Sequence, residues 1–187
     1  MDNIILIGMP ASGKSTVGFF LARALGWAFL DSDREIERQR GQKLSRLARE
    51  LGTEGFRALE EEVNASLDVH RTVIAPGGSV IYEERAMRHL RSLGSVVYLR
   101  FAYETIAGRL GDLGKRGVSM KPGQTLRDLY NERCPLYERY ADLTVDADGL
   151  LPREIIAIIG RVGTYCNEIM RSRLSLLTSL PLISSTP

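Results

Sequence analysis

Short apolar stretches alternate along most of the chain with stretches in which apolar residues recur at helical spacing. The short stretches, rich in β-branched residues, lie at residues 4–7, 27–30, 73–75, 96–99 and, more weakly, 143–145. Apolar residues of helical period include Val17, Phe20, Leu21, Ala24 and Leu25, and Gly26 follows them as a stop. Parallel strands need crossover connections, which are usually helices. The alternation therefore predicts an α/β fold with three layers, α/β/α, around a five-stranded parallel sheet.

Length and composition favour one folded domain. A chain of 187 residues with 44% hydrophobic residues can bury about 70% of its unfolded surface in a single core. We assign residues 1–171 to this domain and residues 172–187 to a C-terminal extension, which we expect to be poorly ordered. Residues 111–124 carry four glycines and three cations without apolar periodicity. This composition predicts a mobile lid, with an ordinary surface loop as the alternative.

Charge and cysteine content limit the partners and the compartment. The 25 basic and 23 acidic residues give a net charge of +2 without a long like-charge block, which does not favour binding to nucleic acid or to a membrane surface. Cys134 and Cys166 are too isolated for a disulfide framework or a zinc site. The N-terminus does not read as a signal peptide, and the longest uncharged stretch is too short for a membrane span. We expect a cytoplasmic monomer that binds small molecules.

Residues 8–15 read Gly-Met-Pro-Ala-Ser-Gly-Lys-Ser, a complete G-x-x-x-x-G-K-[ST] phosphate loop between the first strand and its helix. Glycines allow backbone N–H groups to surround phosphate oxygens, and the helix presents its positive N-terminus to the same anion. We expect Lys14 to reach the β- and γ-phosphates of ATP and Ser15 to hold Mg²⁺. The residues predicted to bind the nucleotide here are Gly8, Ala11, Ser12, Gly13, Lys14, Ser15 and Thr16. The alternative is an incidental glycine-rich turn.

Further polar residues follow the second and third predicted strands, where ligands of parallel sheets bind. Asp31 and Asp33 point in opposite directions if the backbone there is extended, so that one faces Mg²⁺ and the other a substrate hydroxyl. Asp33 alternatively caps a helix that begins at Arg34. Arg57 has Glu60 at i+3, which predicts an ion pair on one helix face. Alone, such a pair is typical of a protein surface.

Taken together, these motifs resemble the shikimate kinases, a branch of the nucleoside-monophosphate-kinase-like phosphate-loop proteins. The resemblance covers roughly residues 3–160. It rests on the order and spacing of five motifs: the phosphate loop, Leu-Asp-Ser-Asp at 30–33, Phe-Arg at 56–57 followed by Glu60, the pair Gly77-Gly78, and Arg-x-Pro-Leu-Tyr at 133–137. It implies Mg²⁺-dependent phosphorylation of the shikimate 3-hydroxyl by ATP, a step of aromatic amino acid biosynthesis.

The resemblance also implies individual roles. The residues that would hold shikimate are Asp33, Arg57, Gly77, Gly78 and Arg133, with the two arginines at its carboxylate. Ser15 and Asp31 would hold the metal ion. Lys14, Asp33 and Arg116 of the lid would be catalytic, with Arg116 stabilising the transferring phosphoryl group and contacting ATP. Arg109 and Arg153 would lie near adenine.

The chain departs from the family at several positions. Ser79 stands where the family usually has a third glycine, and the lid reads Arg116-Gly117-Val118 instead of Arg-Pro-Leu. These changes remove no charged group that phosphoryl transfer requires. Two alternatives stay open: a kinase of the same fold that acts on another small hydroxy acid or alcohol, and a non-catalytic nucleotide-binding module.

Overall fold

A single parallel sheet of five strands, in the order β2-β3-β1-β4-β5, organises the protein. The computed structural model describes residues 2–110, 120 and 123–161. The strands are β1 (Asn3–Ile7), β2 (Ala28–Asp31), β3 (Thr72–Ala75), β4 (Gly94–Arg100) and β5 (Leu143–Asp146). Each strand predicted from the sequence is present within two residues of its predicted bounds. The predicted α/β class is confirmed.

Helices connect successive strands. They are α1 (Lys14–Leu25), α2 (Ser32–Arg40), α3 (Leu44–Ala65), α4 (Glu84–Leu93), α5 (Tyr103–Leu110), α6 (Leu126–Tyr140) and α7 (residues 152–161). A short 3-10 helix, Val80–Tyr82, precedes α4. Helix α1 stops at Gly26, as predicted, because that glycine adopts the left-handed conformation and its N–H bonds to carbonyls of the last turn. Helix α3 is kinked at Gly52, whose backbone is non-helical.

The helices cover both faces of the sheet. Every residue of β1 and of β3 is buried. Since successive side chains of a strand point to opposite faces, complete burial means that both faces are covered. Helix α1 packs against β1, β2 and β3, and α4 packs against β1 and β4. The three-layer prediction is confirmed, and the main hydrophobic core lies between these layers.

A second, smaller core joins α2 to α3. Its buried residues are Ile36, Leu47, Phe56, Leu59 and Val63. Both helices follow the carboxyl end of β2 in the chain, so this core fixes them as one unit beside that edge of the sheet. The unit carries Asp33, Arg57 and Glu60 and therefore positions several of the predicted site residues.

Several predictions fall on residues outside the described part of the chain. Most of the predicted lid (111–119 and 121–122), with Arg116, lies outside it, as do Cys166 and the predicted extension at 172–187. The assignment of residues 1–171 to one domain stays a prediction. Among the helices of the described residues, none has the length and apolar character needed to cross a membrane.

Candidate functional site

The phosphate loop joins β1 directly to α1. Gly13 caps α1 in the left-handed conformation (φ 85°), which a glycine adopts without steric cost. The ammonium group of Lys14 folds back over the loop and donates hydrogen bonds to the carbonyl oxygens of Gly8 (2.8 Å) and Met9 (3.1 Å). The lysine therefore stabilises the conformation of the phosphate loop.

Two ionisable groups in the loop's neighbourhood have strongly altered acidity. Burial lowers the pKa of Lys14 to about 8, against the opposing attraction of Asp33 and Asp31. Burial, with the nearby charge of Asp31, raises the pKa of Asp33 to about 6, while Lys14 acts in the opposite direction. At pH 7 both groups are charged in most molecules, but each lies within about one pH unit of its titration.

Asp31 connects the phosphate loop to the end of β2. One of its carboxylate oxygens accepts a hydrogen bond from Ser15 Oγ at 2.7 Å. The other accepts from the backbone N–H groups of Asp33 (3.1 Å) and Arg34 (3.3 Å), so that Asp31 caps α2. The alternative in which Asp33 caps a helix was wrong, because the helix begins at Ser32.

The early start of α2 also corrects the expected directions of the two aspartates. Asp33 lies in the first turn of a helix and not on an extended strand, so alternation of side chains does not apply. Asp31 and Asp33 consequently line the same cavity.

This cavity, of about 330 Å³, brings most of the predicted site residues together. Part of its wall is formed by the phosphate loop and the start of α1, including Ala11, Gly13, Lys14, Ser15 and Thr16. The wall also includes Asp33, Glu60, Gly77, Gly78, Ser79 and Arg133. The phosphate loop therefore lines the same cavity as several carboxylate groups and the guanidinium group of Arg133.

Glu60 and Ser79 form a buried pair in the cavity wall that sequence reasoning missed. The side chain of Glu60 is 4% exposed, and Ser79 Oγ donates a hydrogen bond to its carboxylate at 2.5 Å. Burial raises the pKa of Glu60 to about 7, while the bond from Ser79 lowers it. A Cβ atom on Gly77 would overlap this carboxylate, which explains the glycine. No local pattern joins Glu60 to a residue 19 positions away.

Arg57 contradicts one prediction about its partner. Its Nε donates to Glu83 at 2.6 Å, and the predicted pair with Glu60 does not form. Glu60 is turned towards Ser79 instead. Arg57 is also absent from the cavity wall, although its neighbour Phe56 lies in it.

Arg133 is the most deeply buried cation at the cavity, with 2% exposure. Its Nε donates to Tyr82 Oη at 3.2 Å. Tyr137 Oη donates to the carbonyl oxygen of Gly78 at 2.7 Å, which ties α6 to residues 76–79, here called the glycine loop. Tyr137 belongs to the motif at 133–137, but neither tyrosine's contact could be predicted, because both contacts join distant parts of the chain.

The two arginines predicted near adenine are not among the residues that line this cavity. Arg109 is exposed on α5, with its guanidinium 4.3 Å from the centroid of the Phe101 ring. Arg153 is exposed on α7. Their contact with adenine stays a prediction.

The fold and the site together define a kinase of the phosphate-loop class. A parallel sheet whose first strand leads into a phosphate loop binds a nucleotide at its carboxyl edge. Here the loop opens onto a cavity that also holds a carboxylate and a buried arginine, the groups that suit a small acceptor with hydroxyl and acidic substituents.

Comparison with known proteins narrows this class. The family model for shikimate kinase matches residues 10–162. The shikimate kinase of Thermobifida fusca is 40% identical over 84% of this chain and 92% of its own length. That of Thermodesulfovibrio yellowstonii is 35% identical over 83% of this chain and 91% of its own length. The chain belongs to the shikimate kinase family.

Solved structures agree with this assignment. Shikimate kinase from Acinetobacter baumannii in complex with shikimate superposes with a TM-score of 0.78, at 35% identity, over 87% of this chain and 92% of that one. The enzyme from Aquifex aeolicus gives 0.75 at 30% identity over 89% of this chain and 98% of that one. The family, the fold and the kinase class predicted from the sequence are confirmed.

Proposed function

We propose that the protein transfers the γ-phosphoryl group of ATP to the 3-hydroxyl group of shikimate. The observation that carries this proposal is the single cavity shared by the phosphate loop, Asp33 and Arg133. Phosphoryl transfer depends mainly on positioning and on neutralising charge, and such a cavity supplies both. The Acinetobacter baumannii relative, whose structure contains shikimate, supports the choice of acceptor.

Lys14 provides the positive charge at the nucleotide end. Its pKa of about 8 keeps it protonated in most molecules at pH 7, and an adjacent phosphate favours the protonated form further. Its hydrogen bonds to the loop carbonyls place the ammonium group over the loop that cradles the phosphates. Lys14 therefore serves as the cation that offsets phosphate charge during transfer.

Ser15 and Asp31 are suited to hold Mg²⁺. Their oxygen atoms lie 2.7 Å apart beside the phosphate loop, and hydroxyl and carboxylate oxygens are ligands that Mg²⁺ prefers. In the described ranges no group of three or more His, Cys, Asp or Glu residues is placed for a metal ion. That fits an ion which takes most of its ligands from phosphate and water. The bound ion would neutralise charge on the phosphates.

Asp33 is the group that we assign to the acceptor hydroxyl. Its pKa of about 6 makes it ionised at neutral pH yet basic enough to accept a proton, as a general base requires. Arg133, buried in the wall of the same cavity, supplies a cation for the acceptor's carboxylate. The closeness of Gly78 to the Arg133 guanidinium leaves little room for a side chain between them.

One observation favours a second candidate, a kinase of the same fold for another small hydroxy acid. Ser79 lines the cavity where the family usually has glycine, and its hydroxyl changes the shape and polarity of the wall. Selectivity between hydroxy acids depends on such wall groups, since an unmatched buried polar group is costly.

A coupled assay of ADP release tests both candidates. The purified protein is given Mg²⁺-ATP with shikimate, with a panel of other hydroxy acids, or with no acceptor. We expect shikimate to give the largest acceptor-dependent rate. Lys14→Ala should lower that rate at least about a hundredfold, whereas Lys43→Ala, a matched change at an exposed lysine paired with Glu37, should leave it unchanged. A higher rate with another acid would contradict the first candidate in favour of the second.

A further inference from the structure

Tyr82 contacts Arg133, which the proposed function assigns to the acceptor's carboxylate, and Arg57, for which the family resemblance implies the same role. It ends the short helix Val80–Tyr82, directly after the glycine loop. The guanidinium carbon of Arg57 lies 5.0 Å from the centroid of its ring, and that of Arg133 lies 5.3 Å from it. One aromatic ring therefore lies against two cations that come from different helices, α3 and α6.

This arrangement eases an electrostatic problem of the site. Two neighbouring guanidinium groups repel each other, and Glu83 offsets the charge of Arg57. The negative face of an aromatic ring attracts a cation within about 6 Å, and more strongly where the cation is shielded from water. Arg133 is almost fully buried. The ring thus stabilises both cations before the acceptor arrives.

The hydroxyl group of Tyr82 fixes the direction of the ring. It accepts a hydrogen bond from Arg133 Nε at 3.2 Å and donates one to Glu132 Oε1 at 2.9 Å. The second oxygen of Glu132 accepts from Gln124 Nε2 at 2.7 Å. The tyrosine is consequently held by two residues of α6, one of which is itself held by Gln124, and it cannot rotate without breaking its own two bonds.

We propose that Tyr82 is a positioning residue that determines affinity for the acceptor's carboxylate by orienting the guanidinium groups of Arg57 and Arg133. The inference rests on the proposed function, in which Arg133 binds that carboxylate, and on the role that the family resemblance implies for Arg57. It assigns the tyrosine no contact with the reacting atoms.

The test compares acceptors with and without a negative charge. Steady-state constants are measured for wild type, Tyr82→Leu and Tyr82→Phe with shikimate, with its uncharged methyl ester and with ATP. Tyr103→Leu is the matched control. The guanidinium carbon of Arg127 lies 3.4 Å from the centroid of the Tyr103 ring, and Tyr103 does not line the cavity. Thermal melts of each variant verify that it is folded.

We expect Tyr82→Leu to raise KM for shikimate about tenfold, while KM for ATP and kcat change less than about threefold. Tyr82→Phe keeps the ring and should give a smaller rise, of about threefold. For the methyl ester the rise should be less than about twofold, and Tyr103→Leu should behave as wild type. If the leucine variant does not fold, the Tyr82→Phe variant alone tests the inference.

Two results would overturn the inference while leaving the proposed function intact: an unchanged KM for shikimate in both Tyr82 variants, or an equal rise for shikimate and its ester. Failure of the wild-type protein to phosphorylate shikimate would instead contradict the proposed function.

Discussion

Replacing Asp33 by Asn should make the protein more stable and nearly inactive at the same time. The carboxylate of Asp33 is held where burial and Asp31 disfavour its charge, with Lys14 as the opposing influence. Asn has a similar size and no charge. The substitution therefore removes the unfavourable charge together with the proposed base.

The size of the stability gain follows from the pKa of Asp33. It rises from 3.8 to about 6 on folding, and each pH unit corresponds to about 1.4 kcal/mol. Because the folded-state pKa of this acid is the higher one, its charge destabilises the fold fully above pH 6, and the effect disappears as the pH falls towards 3.8. The cost is about 3 kcal/mol at pH 8 and roughly half of that at pH 5.

Thermal melts at pH 8 and pH 5 measure this gain. About 3 kcal/mol corresponds to a rise in Tm of about 6–12 °C for a protein of this length. That figure is a ceiling, since Lys14 loses the carboxylate that most favours its charge. At pH 5 the rise should be about half as large. The coupled assay should show kcat lowered by at least about a hundredfold.

Asp68→Asn serves as the matched control, because Asp68 is exposed and does not line the cavity. It should change neither Tm nor kcat. A Tm for Asp33→Asn below that of wild type at pH 8, or a gain of the same size at both pH values, would refute the electrostatic reasoning.

Three further predictions concern the same cavity. The plot of kcat/KM for ATP against pH should rise through about pH 6 as Asp33 ionises and fall above about pH 8 as Lys14 loses its proton. A flat profile from pH 5 to pH 9 would contradict these roles. Arg133→Ala should raise KM for shikimate about a hundredfold and KM for ATP less than about threefold, as steady-state kinetics would show, and an unchanged KM for shikimate would remove Arg133 from the acceptor site. Ser79→Ala removes the hydrogen bond to Glu60 and should cost about 1.5 kcal/mol, a fall in Tm of about 3–6 °C. That fall should be larger above pH 7, where Glu60 is charged, and an unchanged Tm would show that the bond contributes nothing.

The sequence predicted the parts of the fold that depend on local patterns. All five strands and the stop of α1 at Gly26 follow from apolar periodicity and from a residue suited to positive φ. The phosphate loop could also be recognised from the sequence, because its residues are contiguous. The start of α2 was misplaced by two residues, since Asp31 and Asp33 are both good caps and only Asp31 faces the free N–H groups.

Contacts between distant residues could not be predicted in the same way. Arg57 pairs with Glu83, 26 positions away, because Glu60 is buried under Gly77 and bonded to Ser79. Tyr82 reaches Arg133 across 51 positions. Such pairs can be identified only when the packing of α3, α6 and the glycine loop is known, because no spacing in the chain indicates them.

The central claim is that the phosphate loop and the acceptor's groups share one cavity. A crystal structure of the protein with ADP, Mg²⁺ and shikimate tests it most directly. We expect shikimate in this cavity, with its carboxylate within hydrogen-bond distance of Arg133 and a hydroxyl group beside Asp33. Shikimate bound elsewhere, or with its carboxylate turned towards the phosphate loop, would contradict the account.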